Sequence, residues 1–527
     1  MTGNGGGLMQ LTAYGASDLY LTGDPQVTLF KTVYRRHTNF SMEPITQYFE
    51  VEPSFSTTSR TTAQVQIERI TDLMQDIYVV MDTPAIYSSP EERFQWVNFL
   101  GENIIARSAI YCDGTQLDQQ YSQWLHIWNE LTLPIGKRQS YNNLIGYTQP
   151  MTQPTVYQGS YTPQTQPTIG STRLYIPLPF WFCRNPGLAI PLIALQYNRI
   201  FIEIEFYEIN HWFAMWYHAN PRRFYEFGVS EFSNPEAAPS TNPSTFVFQQ
   251  VNRIAPVNAG TLVQSLTNSG FGPDNYFWKF VNGTNQPGGW NPNPHLIVNY
   301  IYLDTDERQR FAAVSHEYLI EQVQTAVFTG QESASSIQLV FNKPCKELIF
   351  AYQRNDVDYT NEWNNYTNCL YQNSCNSGNF LLDIAQFQQA VVLQSNQIAT
   401  CLESFQPTPD TLTFDDQGHN ICYAIQFLLN GDNRFSPLDS TYFTQLQPYM
   451  YHTNQPSYGV FCYSFAENPE EHQPSGTINF SRFQRVQLNS KLRQVKNPAV
   501  TYNVMVFTHN YEVLRIIGGI GSIAFVN

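Results

Sequence analysis

Apolar and polar residues alternate with a period of two along much of this chain. Residues 63–67 and 200–206 place apolar side chains at every second position, and residues 500–507 follow the same period. Because successive side chains of a strand point to opposite faces, these runs predict half-buried strands. The continuous apolar run at residues 77–81 instead predicts a strand that is buried on both faces.

Shorter strand signals separated by turn residues recur along the rest of the chain. They lie at residues 27–32, 296–303, 318–328, 346–352 and 477–480. Many short strands with turn residues between them are typical of a β-sandwich or jelly roll. Strands and helices do not alternate regularly, which argues against a doubly wound parallel sheet.

One helix stands out from this β pattern. Its apolar stripe, at spacings i, i+3, i+4 and i+7, consists of Tyr121, Trp124, Leu125 and Trp128. This spacing predicts an amphipathic helix, with Asp118 as its N-cap and Pro134 at its end. We expect the two tryptophans to pack against a sheet rather than to bind a sugar.

Two segments interrupt the pattern of strands. Residues 1–25 are rich in glycine near their start and predict a flexible arm. Residues 211–294 are dominated in places by Pro, Asn and Gly, which predicts a linker carrying long surface loops. The two halves of the chain show no direct sequence repeat, so periodicity alone does not divide the chain into domains.

The composition favours β structure and surfaces that become covered. Of the 527 residues, 13% are charged and 15% are aromatic, including 33 Tyr and 36 Phe. Aromatic residues favour strands, and protein interfaces are enriched in them and poor in Lys and Glu. A tyrosine-rich carbohydrate-binding protein has a similar composition, so this alternative stays open at this point.

The net charge of −15 argues against specific nucleic-acid binding, which needs clustered cations. The one local basic cluster comprises Lys31, Arg35, Arg36 and His37, and we interpret it as a solvated strand face. The N-terminal residues lack the pattern of a secretory signal, and no apolar run is long enough to span a membrane. We therefore expect a reducing compartment.

The eight cysteines form no C-x-x-C pair, so zinc binding is not predicted. Free thiols are expected, with a disulfide as the alternative under oxidising assembly conditions. The sequon asparagines Asn282 and Asn365 are the candidate glycan acceptors, whereas Asn39 and Asn479 are expected in strands or turns.

Carboxylates cluster twice, and neither cluster has the pattern of a metal or catalytic site. The first group is Asp304, Asp306 and Glu307, which lacks the order of a calcium-binding loop and is followed by arginines. Capping of a helix or local ion pairing explains it. The second group, residues 470–472, combines two Glu and a His between prolines, and we expect a turn network there.

Two further patterns are also set aside. His316 next to Glu317 has no metal-ligand spacing. The glycines at residues 518–521 lack the lysine of a phosphate-binding loop. No catalytic residue, metal site or cofactor is therefore predicted.

The segment 469–482, PEEHQPSGTINFSR, predicts a polar turn that leads into a strand. It resembles the corresponding segment of the major capsid proteins of nucleocytoplasmic large DNA viruses, the group that includes irido-, phycodna-, marseille-, mimi- and asfarviruses. Five further segments resemble the same family in the family's own order. They are residues 5–41, 113–131, 177–198, 303–324 and 509–525.

The resemblance implies an all-β double jelly roll, with two eight-stranded antiparallel β-sandwiches, long loops and a few short helices. The implied divisions are an N-terminal arm at 1–25, a first jelly roll at 26–210, a linker or insertion at 211–294, a second jelly roll at 295–512 and a C-terminal tail at 513–527. The insertion is longer than the short linker of some members.

The resemblance also implies a structural role without catalysis or a cofactor. The expected protein forms pseudo-hexagonal homotrimers, which tile an icosahedral shell around an internal membrane and a double-stranded DNA genome. Its expected partners are neighbouring trimers and the minor capsid and penton proteins. Contact is also expected on the side of the shell that faces the internal membrane. The expected location is the virion capsid, assembled in the host cytoplasm.

Two other interpretations compete with this one. A β-sandwich enzyme or lectin acting on carbohydrate would also have many aromatics and scattered carboxylates, but no convincing carboxylate pair can be nominated. A minor capsid or penton protein usually has one jelly roll, and a chain of 527 residues is long for that.

Overall fold

The computed structural model describes residues 5–87, 92–152, 167–218, 248–250, 276–282, 290–355, 357, 361–368, 420–493 and 501–525. Residues 1–40 form one compact unit and residues 41–527 form a second.

The strands are, in chain order, β1 Phe40–Tyr48, β2 Thr61–Gln66, β3 Leu73–Asp82, β4 Glu92–Trp96, β5 Ile105–Cys112, β6 Thr115–Tyr121, β7 Arg173–Pro177, β8 Ile190–Pro191, β9 Ile200–Phe206, β10 Phe213–His218, β11 Phe248–Gln250, β12 His295–Leu303, β13 His316–Gln331, β14 Ala334–Leu339, β15 Pro344–Arg354, β16 Cys422–Leu429, β17 Asp432–Asp439, β18 Val460–Ser464, β19 Ile478–Asn479, β20 Val486–Leu492, β21 Tyr502–Ile517 and β22 Ile520–Ile523. The α-helices are α1 Gly6–Thr12, α2 Asp18–Thr22, α3 Leu100–Ile104, α4 Ser122–Thr132, α5 Ile135–Leu144, α6 Gln149–Thr152, α7 Trp181–Arg184, α8 Tyr276–Asn282, α9 Thr305–Ala313 and α10 Gln447–Tyr451. None of the helices within these described ranges is long and apolar enough to cross a membrane.

Within its described residues 5–39, the N-terminal unit contains two short helices and no strand. Neither α1 nor α2 buries a residue, and the backbone from 23 to 39 is irregular. The strand predicted at residues 27–32 is therefore wrong for the single chain. Its alternation is that of a strand, but a strand needs a neighbour to satisfy its backbone groups, and none pairs with it here.

The first sandwich packs a five-stranded sheet face to face with a four-stranded sheet. One sheet has the order β1-β12-β3-β7, with β8 beside β3, and the other has the order β2-β9-β5-β6. Val65 pairs with Ile202 across β2 and β9, and both side chains are buried in the core with Val79 of the opposite sheet. The alternating pattern thus places one face of each strand in the core.

Strand β12 corrects the predicted domain boundary at residue 295. It pairs with β3, with Leu296 opposite Val79 and Val298 opposite Ile77, so it belongs to the first sandwich. Its alternation predicts that a strand exists, but not which strand becomes its neighbour, because pairing depends on contacts remote in sequence.

The predicted linker at 211–294 also contributes to the first core. β10 pairs with β4 in a small third sheet that includes β11. Phe213, Phe277 and Phe280 are buried in the same core cluster as the two main sheets. The Pro- and Asn-rich stretch at 233–244 lies outside the described residues, as does most of 282–294.

The second sandwich repeats the architecture of the first. One sheet has the order β13-β21-β15-β18, with β19 and β22 added to it, and the other has the order β14-β20-β16-β17. The second core includes Leu348 and Phe350 of β15 with Phe427 and Leu488 of the opposite sheet. The main path of each sandwich therefore has four strands facing four, as the predicted pair of eight-stranded sandwiches requires.

Residues 513–523 of the predicted C-terminal tail, which was placed at 513–527, continue this sandwich. β21 runs on to Ile517, turns at Gly518 and Gly519, and pairs with β22. Both glycines have positive φ, which suits a tight reversal.

Candidate functional site: the seam between the two sandwiches

Helix α4 extends from the first sandwich and covers the outer face of the second. The predicted helix is confirmed, and it ends at Thr132, shortly before Pro134. Its predicted cap is wrong, because Asp118 lies in β6, where its Oδ1 accepts a hydrogen bond from the backbone N of Val323 at 3.1 Å. Burial raises the pKa of this carboxyl group despite the hydrogen bonds it accepts.

The apolar stripe of α4 forms a second contact layer with the large sheet of the second sandwich. The members of this buried layer are Trp124, Ile127, Trp128 and Leu131 of α4, Ile349 and Ala351 of β15, Tyr366, Val460 and Cys462 of β18, and Met505 and Phe507 of β21. The expectation that the tryptophans pack against a sheet is confirmed. β15 is consequently buried at every position after its first, since one face meets the sandwich core and the other meets the helix.

The tryptophans also contact two basic side chains. The rings of Trp124 and Trp128 stack with centroids 5.3 Å apart, and the rings of Trp128 and His509 are nearly perpendicular with centroids 4.8 Å apart. The guanidinium of Arg184, at the end of α7, lies 4.2 Å from the Trp128 ring centroid. Arg184 crosses from the first sandwich to the second, where its Nη1 lies 2.6 Å from Oε2 of Glu321.

Behind this crossing, carboxylates and histidines alternate in a line that we call the seam chain. Its members are Arg184, Glu321, His509, Glu347, His452 and Glu470, with Lys346 at one side. Nε2 of His509 lies 2.9 Å from Glu321 and its Nδ1 lies 3.0 Å from Glu347. Nε2 of His452 lies 3.3 Å from the other oxygen of Glu347, and its Nδ1 lies 3.1 Å from Glu470.

Strand order explains why these groups meet. β13, β21 and β15 are neighbours and carry Glu321, His509 and Glu347, with Glu347 directly opposite His509 in the register. Side chains opposite each other on one face of an antiparallel pair lie within contact distance. His452 follows the end of α10, and Glu470 comes from the turn after β18.

The electrostatics of the seam chain favour the charged forms of Glu321, Glu347 and His452. Burial opposes ionisation of Glu347, but the neighbouring imidazoles of His452 and His509 outweigh it and lower its pKa to about 2. Burial likewise opposes the charge of His452, but Cys462, Glu347 and Glu470 raise its pKa to about 12. For Glu321 the neighbouring cations, led by His509, overcome burial and lower the pKa. These ions are buried, and they are stable only because each has a partner.

At Lys346, which lies beside the seam chain, burial outweighs the neighbouring charges. The pKa of Lys346 is lowered by its complete burial, against the attraction of Glu321 and Glu347. Its Nζ lies 2.5 Å from Oε1 of Glu321.

A second polar connection lies on the other side of α4. Glu102 of α3 accepts hydrogen bonds from Tyr141 at 2.6 Å and Asn129 at 3.2 Å, and it lies 2.8 Å from Nδ1 of His126. Burial opposes protonation of His126, but Glu130 and Glu102 outweigh it and raise its pKa.

Glu130 then extends this connection to the second sandwich. Its Oε2 accepts hydrogen bonds from the backbone N of Ser457 at 2.9 Å and from its hydroxyl at 2.6 Å. The backbone N of Asn454 also donates to the carbonyl of Leu131 at 2.9 Å. The helix is therefore fixed to the second sandwich by an apolar stripe with polar contacts on both sides.

A cleft of about 600 Å³ opens beside Glu130. Its described lining includes Phe99, Tyr147 and Arg138 from the first sandwich and Gln455 and Tyr458 from the second. Glu130 carries the one carboxylate among these described lining residues, and that carboxylate is already hydrogen-bonded to Ser457. The cleft therefore lacks the pair of carboxylates that a typical glycoside hydrolase uses.

Comparisons with known proteins agree with this architecture. A family model described as major capsid protein N-terminus matches residues 28–223, and one described as large eukaryotic DNA virus major capsid protein matches residues 307–522. The chain belongs to the major capsid protein family of large eukaryotic DNA viruses.

Relatives in this capsid family align along nearly the whole chain. The major capsid protein of Phaeocystis pouchetii virus is 35% identical, covering 99% of this chain and 100% of that protein. The major capsid protein of Pyramimonas orientalis virus is 34% identical with the same coverage.

Solved capsid structures share the fold. The PBCV-1 virus capsid matches with a TM-score of 0.59 and 24% identity over 95% of this chain and 100% of that chain. The Faustovirus major capsid protein matches with a TM-score of 0.61 and 11% identity over 97% and 96%. The predicted double jelly roll is confirmed.

The carboxylate groups singled out in the sequence have structural roles in this capsid-family chain. Oδ1 of Asp304 caps α9 by accepting from the backbone N of Thr305 at 2.7 Å, which confirms the capping interpretation. Arg308 pairs with Asp72 at 2.9 Å. Within the ranges that the structure describes, no group of three His, Cys, Asp or Glu side chains could hold a metal ion.

The turn network predicted at residues 470–472 is confirmed and is part of the seam. Besides His452, Glu470 accepts from the backbone N of Thr453 at 2.8 Å. The strand predicted at residues 477–480 is shorter in the structure. It is β19, which covers two residues and pairs with β15 before a 3-10 turn begins at Phe480.

The adjacent side chains of His316 and Glu317 contact different partners in the structure. His316 lies 2.7 Å from the carbonyl of Phe311, and Glu317 pairs with Arg515 at 2.8 Å.

Burial argues against one of the two candidate glycan acceptors. Asn365 is buried, and its Oδ1 accepts from the backbone N and the hydroxyl of Thr367, so the folded chain does not present it to an enzyme. The side chain of Asn282 lies outside the described residues.

Five cysteines lie within the described residues, and all are free thiols: Cys112, Cys183, Cys345, Cys422 and Cys462. Burial raises the pKa of Cys422 to about 12, which leaves it unreactive. Cys369, Cys375 and Cys401 lie outside the described residues.

Sequence reasoning missed the seam chain, although a weak signal was present. Lys346 and Glu347 interrupt the apolar run of β15, and His509 interrupts that of β21. Charged residues within an otherwise apolar strand indicate a buried partner, but the partner's identity depends on strand order.

Proposed function

We propose that this chain builds a virion shell as a homotrimer with a pseudo-hexagonal outline, and that such trimers tile the icosahedral capsid of a large double-stranded DNA virus. The observation that carries the proposal is the seam. Two sandwiches of the same four-on-four architecture are fixed to each other by a buried apolar layer and the seam chain. Three copies of the chain, each with two sandwiches fixed to each other, supply six similar modules. A hexagonal outline requires that number.

The proposed partners are neighbouring trimers, minor capsid and penton proteins, and components on the side facing an internal membrane. Assembly is proposed in the host cytoplasm, without catalysis and without a cofactor. Asn282 remains the proposed glycan acceptor.

We propose the domain division with the boundaries that the strand pairing supports. The arm comprises the residues that precede β1, and the first jelly roll starts with β1 at Phe40 and includes β12. The second jelly roll starts with β13 and ends with β22. The connection between the two is then α9 and its flanking residues.

Size-exclusion chromatography with light scattering tests the trimer. The expected particle has three times the 60.6 kDa mass of the chain and shows hexagonal outlines in negative-stain images. A strict monomer at micromolar concentration contradicts the proposal.

A further inference from the structure

The N-terminal unit exposes large apolar side chains that its own residues do not cover. Between 78% and 97% of the surface is exposed at each of five side chains, Val27, Leu29, Phe30, Val33 and Tyr34. Soluble monomers rarely leave apolar side chains clustered in this way. The exposure indicates a surface that another molecule covers.

The same residues have the sequence of a strand but lack a partner strand. Residues 27–32 alternate with a period of two, yet the backbone from 23 to 39 is irregular. The segment leads directly into β1, which lies at the edge of its sheet. A strand-forming segment without a partner is suited to pairing with the exposed sheet edge of another molecule.

Charge indicates the nature of that molecule. Lys31, Arg35 and Arg36 are the charged side chains of the segment, and no carboxylate occurs between Asp24 and Glu43. Among the described residues, none of these three cations forms an ion pair. The chain as a whole carries −15, so the acidic excess lies outside this segment. A cationic segment and an acidic body attract each other between copies.

We propose that residues 27–36, the basic strand segment, dock as an added strand on the sheet edge of a second copy of this chain. A membrane surface fits less well, because a segment lying in the interface usually forms an amphipathic helix, and these residues have the alternation of a strand. The inference rests on the proposed homo-oligomer and specifies one of its contacts.

A photo-crosslinking experiment on the full chain tests this docking. Phe30 is replaced by the photoreactive amino acid benzoylphenylalanine in a chain that carries one affinity tag. This chain is co-expressed with an unmodified chain that carries a second tag. Illumination is expected to give a covalent product with both tags, in which peptide mapping places the link on a strand at a sheet edge.

Two triple variants distinguish the effect of cations in the basic strand segment from the effect of exposed cations elsewhere in the chain. K31E/R35E/R36E is expected to lower the yield of the two-tag product roughly tenfold, because three attractive contacts become repulsive. The matched control R482E/R485E/K491E reverses three exposed cations of the second sandwich that lie outside its edge strands and is expected to leave the yield unchanged.

The other possible outcomes reject either the docking or the proposed function. Links only within one chain, or an equal yield from both triple variants, overturn the docking. So does binding of the chain to phosphatidylserine vesicles, lost in K31E/R35E/R36E, without a two-tag product. Light scattering on the same samples separates the two proposals: a trimer without the two-tag product rejects the docking alone, whereas a monomer rejects the proposed function as well.

Discussion

The seam and the N-terminal unit use the same kinds of residue in opposite ways. At the seam, Trp128 covers Arg184, and Arg184 meets a buried carboxylate. In the N-terminal unit, Phe30 and Tyr34 are exposed beside cations without carboxylate partners in the described structure. Aromatic and basic residues therefore do not by themselves indicate an internal or an external contact.

The difference lies in where complementary groups occur. The seam finds its carboxylates on adjacent strands of the same chain, so its contacts form when the chain folds. The basic strand segment lacks such a partner, so its contacts would form on assembly. The first region should therefore control stability, and the second should control association.

The largest expected effect comes from Glu347→Gln. The substitution leaves two buried histidines, His452 and His509, without their shared carboxylate, and breaking a buried ion pair costs about 3–5 kcal/mol. We expect a loss near the upper end of that range in the free energy of unfolding, measured by urea denaturation. The control is Glu317→Gln, because its partner Arg515 is exposed and such pairs contribute at most about 1 kcal/mol. Equal losses would contradict a special role for the seam chain.

Trp124→Ala tests the apolar part of the seam. Trp124 is completely buried against the second sandwich, and removing a buried tryptophan costs about 3–5 kcal/mol. Tyr449→Ala removes a side chain that is 83% exposed and should change the free energy of unfolding by less than about 0.5 kcal/mol. A small effect at Trp124 would show that the helix does not hold the sandwiches together.

A double-mutant cycle measures the crossing between the sandwiches. Arg184→Met and Glu321→Gln, made singly and together, should give a coupling energy of about 0.5–3 kcal/mol, the range for residues in direct contact. Additive effects would mean that this contact does not connect the two sandwiches energetically.

The seam chain also predicts how stability depends on pH. The pKa of His452 is raised to about 12, so its contribution is complete below pH 6.5 and declines as the pH rises towards 12. The pKa of Glu347 is lowered to about 2, so its contribution is complete above pH 4.5 and declines as the pH falls towards 2. Urea midpoints from pH 3 to 10 should therefore be highest between about pH 4.5 and 6.5. His452→Gln should weaken the alkaline decline, and an unchanged decline would contradict this assignment.

The smallest expected effect on stability is at the basic strand segment. K31E/R35E/R36E should change the free energy of unfolding of the dissociated chain by less than about 0.5 kcal/mol, because exposed side chains contribute little. Urea denaturation at a concentration where the chain is monomeric provides the measurement. A larger loss would place these cations in the internal structure and remove the contrast with the seam.

The sequence predicts individual elements better than their neighbours. The stripe of α4 and the alternation of β9 identify both elements, because a helix face or a strand face must be apolar to be buried. The pattern at residues 296–303 predicts that β12 is a strand, but not that it belongs to the first sandwich, since its alternation carries no information about its partner β3.

The seam could be predicted only in part for the same reason. The expectation that Trp124 and Trp128 meet a sheet follows from their spacing, and it is confirmed. The link between His509 and Glu347 depends on the register of β15 and β21. The position of Asp118 ahead of the helix predicts a cap, but Asp118 lies in a strand and binds the second sandwich.

Single-particle cryo-electron microscopy of the purified assembly tests the central claim most directly. The account predicts three copies with a hexagonal outline, each with its two sandwiches in one fixed orientation and with density joining Arg184 to Glu321. Single copies, or sandwiches whose relative orientation varies from particle to particle, would contradict it.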